Sequence, residues 1–141
     1  MSFEDLPKGW QELPLDDDKL IHDVLDLFVS MRDRYDGTLF VLLCDEDRRV
    51  VQPIVVEEVE RLPPPDSDIM LGNLVTAIRG VREDLCALVA IARPGPLRVF
   101  GFDEQWAGFI ERAFTDRVPL LGIHLVTPSG SVSLRPQPMV A

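Results

Sequence analysis

Leu88-Val-Ala-Ile-Ala-Arg93-Pro94-Gly95 is the stretch on which the fold is decided. Extended back to Leu85 it is unbroken apolar sequence. The absence of polar alternation marks a strand covered on both faces rather than one with a wet side. The run ends at a Pro-Gly turn, and Asp103 stands where a new helix begins, with Trp106, Phe109, Ile110, Ala113 and Phe114 along one side. A central buried strand followed by an amphipathic helix implies layers of helix packed on a sheet.

The segments towards the N-terminus extend that pattern. Asp16-Asp17-Asp18 supplies an N-cap and first-turn acids for a helix carrying Leu20, Ile21, Val24, Leu25, Leu27, Phe28, Met31 and Tyr35. Lys19, His22, Asp23, Asp26 and Arg32 fill its polar face, and Asp36-Gly37 ends it. Residues 38–44 and 50–58 predict a hairpin around the polar turn Asp45-Glu46-Asp47-Arg48. Pro53 puts the second strand at an edge or a bulge. After the stiff connector Leu62-Pro-Pro-Pro-Asp-Ser67, Asp66 or Ser67 is expected to cap a second helix with Ile69, Leu71, Leu74, Val75, Ile78 and Val81 inward. Gly72 and Gly80 each weaken that helix by up to ~1 kcal/mol relative to Ala, which predicts close packing at one of them.

Beyond the third helix, residues 119–126 and 131–134 predict a terminal hairpin around Thr127-Pro-Ser-Gly130. Residues 1–15 read as an extended arm pinned by Trp10 and Leu13, residues 16–135 as one domain, and residues 136–141 as a frayed tail. The expected class is α/β (α+β), a mixed sheet of about five strands flanked by three helices in the order αββαβαββ.

Composition fits one globular unit. A chain of 141 residues, 46% hydrophobic and with seven Phe, buries roughly 68–70% of its unfolded surface. No apolar run approaches the roughly 20 residues that span a bilayer, and the acidic, proline-broken N-terminus is no signal peptide, so a cytoplasmic location is expected. With 24 acidic against 14 basic residues and a net charge of −10, the balance disfavours nucleic acid as a partner, because such binding rests on Lys and Arg neutralising phosphates. Cys44 and Cys86 lie in apolar strand-like runs and are expected to be buried free thiols.

Three stretches resemble the JAB/MPN metallopeptidase family, in particular its RadC-like branch. Residues 73–92 look like the family's helix and the strand leading to its metal loop. Arg93-Pro94-Gly95 looks like the family's His-Pro-Ser-Gly. Residues 120–134, with a Leu-Gly-Ile entry and a Val-Ser-Leu exit, look like its terminal hairpin. The resemblance covers about residues 20–135 and implies a cytidine-deaminase/JAB-like sheet. It also implies that the metal ligands are missing. The family's Glu falls at Gly37 or Thr38, its two His on Ile91 and Arg93, its Ser on Phe100, and only the metal Asp survives, as Asp103, one residue closer to the loop than the family's spacing. A catalytic zinc needs three protein ligands and a water, so the resemblance implies a scaffold without catalytic residues, metal or cofactor.

Each candidate residue has a plain reading beside the chemical one. Asp103 is a helix N-cap or a relic ligand. Arg93 pairs with Asp103, faces solvent from its loop, or binds an anion together with Arg98. His22 reads as solvated, and His124 as a satisfied or edge-exposed strand residue or as a ligand. No nucleophile elbow, Cys-x-x-Cys pair, phosphate loop or deaminase signature occurs. The leading expectation is a pseudoenzyme that acts as a protein-interaction or scaffold module, with a protein partner or a second copy. The alternatives are a hydrolase using Asp103 with Arg93 or His124, and a small-molecule or anion sensor using Arg93 and Arg98.

Overall fold

The apolar run becomes strand β3 (Cys86–Ala92), and every residue in it is buried. The structure, a computed structural model, describes residues 8–57 and 59–135. On one side of β3 lies β1 (Thr38–Cys44), antiparallel and also buried throughout. Beyond it β2 (Val50–Glu57) forms the edge. On the other side β4 (Leu120–Thr127) runs parallel to β3, and β5 (Gly130–Arg135) returns antiparallel to close the order β2-β1-β3-β4-β5. The one parallel pair needs a crossover connection, and the helix α4 (Gly101–Phe114) supplies it.

Strand alternation sends two sets of side chains to opposite faces. Leu39, Val41, Val89, Ile91, Ile123 and Leu125 meet α4 and α3 (Ser67–Val81). Phe40, Leu42, Leu88 and Ala90 meet α1 (Asp18–Phe28), with Val29 behind it. The result is an α+β fold in three layers, with a five-strand mixed sheet between helices. Among the described residues there are four α-helices, not three, and no helix is long and apolar enough to cross a membrane.

The extra helix comes from a break in the first. Val29 is extended, its N–H closing on Leu25 O, and the Ser30 hydroxyl accepts from Asp33 N at 3.1 Å to start α2 (Met31–Asp36). A fresh N-cap resets the helical phase. Met31 and Tyr35, expected inside, therefore face solvent, and Arg34 turns inward; Leu27, also expected inside, is exposed on α1 itself. Asp23, expected on the polar face, is also buried, where Lys19 Nζ donates to it at 2.9 Å.

Other expectations need correcting too. Asp66 is the N-cap residue of α3, as expected, but makes no side-chain cap hydrogen bond. The Ser67 hydroxyl instead donates to Pro64 O at 2.7 Å, within the connector. The inward stripe of α3 narrows to the buried Leu71, Val75 and Ile78 with Leu74 half-buried beside them, leaving Ile69 and Val81 exposed. Gly72 and Gly80 are not packing sites, since a Cβ at either would touch nothing within 4 Å. The glycine that matters is Gly37, with φ +86°, where a Cβ would lie only 2.7 Å from Val59 O. In the arm, Trp10 packs edge-on against Phe28. Leu15, not the exposed Leu13, is fully buried, its N–H on Arg48 O. Residues 1–7 of the expected arm, Glu58 of the expected second strand and the expected tail lie outside the described residues.

Candidate functional site

Arg93 follows the end of β3, and its guanidinium is locked. Nε donates to Asp103 Oδ1 and Nη2 to Asp103 Oδ2, both at 2.8 Å, a bidentate fork. Nη1 donates to Pro94 O at 2.9 Å and Pro96 O at 3.3 Å, and Nη2 also to Arg98 O at 2.8 Å. A guanidinium has five N–H donors, and all five are used. The ring faces of Phe100 and Phe102, themselves stacked, lie 5.2 and 5.3 Å from its carbon. The side chains of Arg93 and Asp103 are 4% and 0% exposed. Of the three readings open for Arg93, the geometry is that of the pair.

Asp103 is saturated as well. It is not the N-cap of α4 but its third residue, and it caps from inside by accepting from Phe100 N at 2.8 Å on Oδ2. Phe100 has no side-chain acceptor to complete a capping box, so the carboxylate serves the helix start and the arginine together. With both oxygens occupied and no imidazole beside them, these residues do not fit a divalent ion. Among the described residues no group of three or more His, Cys, Asp or Glu side chains converges to hold one.

The remaining expected positions divide across the sheet. Ile91 shares the face of α4 and is buried there. Thr38 alternates with Leu39 and so shares the opposite face with Phe40. Arg98 is exposed and stacks 4.5 Å over the Phe100 ring. His124 is separated from Asp103 by the sheet itself, because its strand neighbours Ile123 and Leu125 point towards α4 and it points towards α1.

On that far side lies a polar cluster with little trace in the sequence. The His22 and His124 rings meet edge to face at 5.8 Å, and His22 Nδ1 hydrogen-bonds the Ser131 hydroxyl of β5. His124 is buried, and its Nδ1 has no hydrogen-bond partner among the described residues. Desolvation, then the neighbouring His22, lowers its pKa from 6.5 to about 4. Arg34 lies 2% exposed nearby, donating to Val29 O from Nε and Nη2, to Thr127 O at 3.2 Å and to Asp26 Oδ1 at 3.1 Å. His22, Asp26, Arg34 and Ser131, together with Ser129, line a cavity of about 240 Å³. A hydroxyl on an imidazole supplies two of the three members of a nucleophilic triad, yet the group edge-on to His22 is a second imidazole rather than a carboxylate. Only the i, i+4 spacing of His22 and Asp26 hinted at a shared helix face. Compared with known families and curated proteins, the chain matches no family model and no curated sequence.

Proposed function

We propose that the chain is a JAB/MPN-like domain that has exchanged catalysis for protein interaction, a pseudoenzyme scaffold of the cytoplasm. The observation that carries the reading is the saturated Arg93–Asp103 fork, in which a fixed cation occupies the position that the family resemblance gives to an ion. The parallel crossover from β3 through α4 into β4, with the loop at its start, agrees with the resembled arrangement. The free thiols of Cys44 and Cys86 suit a reducing compartment.

The surface offered to a partner is the open edge of β2. Its only strand neighbour among the described residues is β1, and Val51 and Val55 are exposed along it. Such an edge takes an added strand, from a protein partner or from a second copy. Pro53 and the bulge opposite Leu43/Cys44 shorten the continuous ladder, which favours a specific short pairing over indiscriminate association.

Metal counting after zinc loading and dialysis tests the proposal. The wild-type chain is expected to retain almost none, and an Ile91→His/Arg93→His variant, with Asp103, is expected to retain close to one equivalent. Zinc held tightly by the wild type would overturn the non-catalytic reading, and an empty double variant that is still folded would overturn the family reading. A small-molecule sensor is the second reading, and the cavity beside His22 favours it over any site at Arg93, whose donors are all used. A thermal shift with small carboxylates or phosphates that Ser131→Val abolishes would support it.

A further inference from the structure

Cys44 closes β1, Cys86 opens β3, and the antiparallel register sets the two directly opposite each other. Directly opposed residues of an antiparallel pair project to one face, with Cα atoms about 4.5–5.5 Å apart. A disulfide spans Cα separations of about 4.4–6.8 Å. Both thiols are free, and both belong to the core layer beneath α1. They differ in access, since Cys44 is sealed and Cys86 is 7% exposed. They also differ in acidity. Hydrogen bonding between the two thiols pushes Cys44 up and holds Cys86 below the ordinary thiol range, and Arg48 acts in the same direction on Cys86.

We propose that Cys44 and Cys86 form a redox-active pair that closes to an intramolecular disulfide when oxidised by a small-molecule disulfide such as oxidised glutathione. Cys86 is the entry point, being the less deeply buried of the two thiols and the readier thiolate. Its sulfur attacks one sulfur of oxidised glutathione, whose S–S bond breaks. One glutathione leaves as a thiolate and takes up a proton. Cys44 then loses its proton and attacks the Cys86 sulfur, breaking the mixed disulfide and releasing the second glutathione. Two protein thiols are oxidised by two electrons, and one glutathione disulfide is reduced to two thiols.

Closure has a structural consequence beyond the bond. In the reduced state Cys86 Sγ donates to Asp45 O at 3.3 Å and to Cys44 O at 3.7 Å. The disulfide removes that donor and leaves Asp45 O, at the turn that leads into β2, with the Arg48 N–H at 2.9 Å as its partner.

The test uses the full chain, reduced and then exposed to oxidised glutathione under native conditions. Titratable thiols, counted after unfolding, are expected to fall from two to none. The intact mass is expected to drop by two hydrogens, and the protein to remain monomeric on a non-reducing gel. Cys44→Ser is expected to trap one glutathione on Cys86, and Cys86→Ser to take up none. Persistence of both thiols in the native protein, or cross-linking between chains in place of internal closure, would overturn the proposal. So would an adduct on Cys44 in Cys86→Ser, which reverses the order of attack. The wild-type measurements decide the matter even where a serine variant fails to fold.

Discussion

Replacing Arg93 with Met keeps much of the length and apolar bulk of the side chain and removes all its hydrogen bonds. The loss leaves the fully buried Asp103 carboxylate with Phe100 N as its remaining donor and strips a donor from the carbonyls of Pro94, Pro96 and Arg98. Breaking a buried ion pair by removing one partner costs about 3–5 kcal/mol, since the surviving charge stays desolvated. The carbonyls sit nearer the surface and recover water, so the pair dominates. For a chain of this length that corresponds to a melting temperature lower by roughly 12–20 °C. Urea and thermal unfolding followed by circular dichroism would measure it. Arg93→Met/Asp103→Leu, which removes both charges, is expected to lose less than Arg93→Met alone, because most of the destabilisation in the single variant comes from the orphaned carboxylate. A loss below about 1 kcal/mol in the single variant is what an exposed loop arginine would give, and it would refute the reasoning.

Three other perturbations probe the same geometry. Because His124 titrates near 4 when folded and near 6.5 when unfolded, the unfolded chain holds an extra proton between those values. Its share of stability is complete above pH 6.5 and falls by about 1.4 kcal/mol per pH unit towards pH 4, so the pH-dependent difference between wild type and His124→Leu should trace that slope in urea titrations. Arg34→Lys is expected to lose about 2–4 kcal/mol, since one ammonium cannot serve Val29 O, Thr127 O and Asp26 together, and an unchanged midpoint would contradict the burial of that guanidinium. Gly80→Ala is expected to stabilise by about 0.5–1 kcal/mol, there being open space at its Cβ, whereas Gly37→Ala should destabilise, and equal midpoints for the two would undo the distinction.

The strands were legible because their signals are local. The unbroken run in β3, the turn residues around β1 and β2, and the Pro-Ser-Gly hairpin each declare themselves within a few residues. The Val29–Ser30 break was hidden because Met31 and Tyr35 continue the 3.6-residue rhythm across it, and only the serine cap betrays the new start. Arg93 and Asp103 could be suspected as a pair, being close in sequence on either side of one loop. The stacked Phe100–Phe102 pair beside the guanidinium, and the five-fold use of its donors, depend on a loop conformation that no periodicity encodes. His22 and His124 come together only because β4 lies beneath α1, a contact of long-range packing with no trace in local spacing. Arg34 was invisible for a related reason: most of its partners are backbone carbonyls, whose positions no residue type spells out.

The segment between Arg93 and Phe100 is gripped through its main chain, by carbonyls at Pro94, Pro96 and Arg98, while the side chains of Leu97 and Val99 point outward. A loop fastened in this manner keeps its shape whatever those outward positions carry. They can drift, or be deliberately rewritten to graft a new recognition sequence, without loosening the mount beneath them.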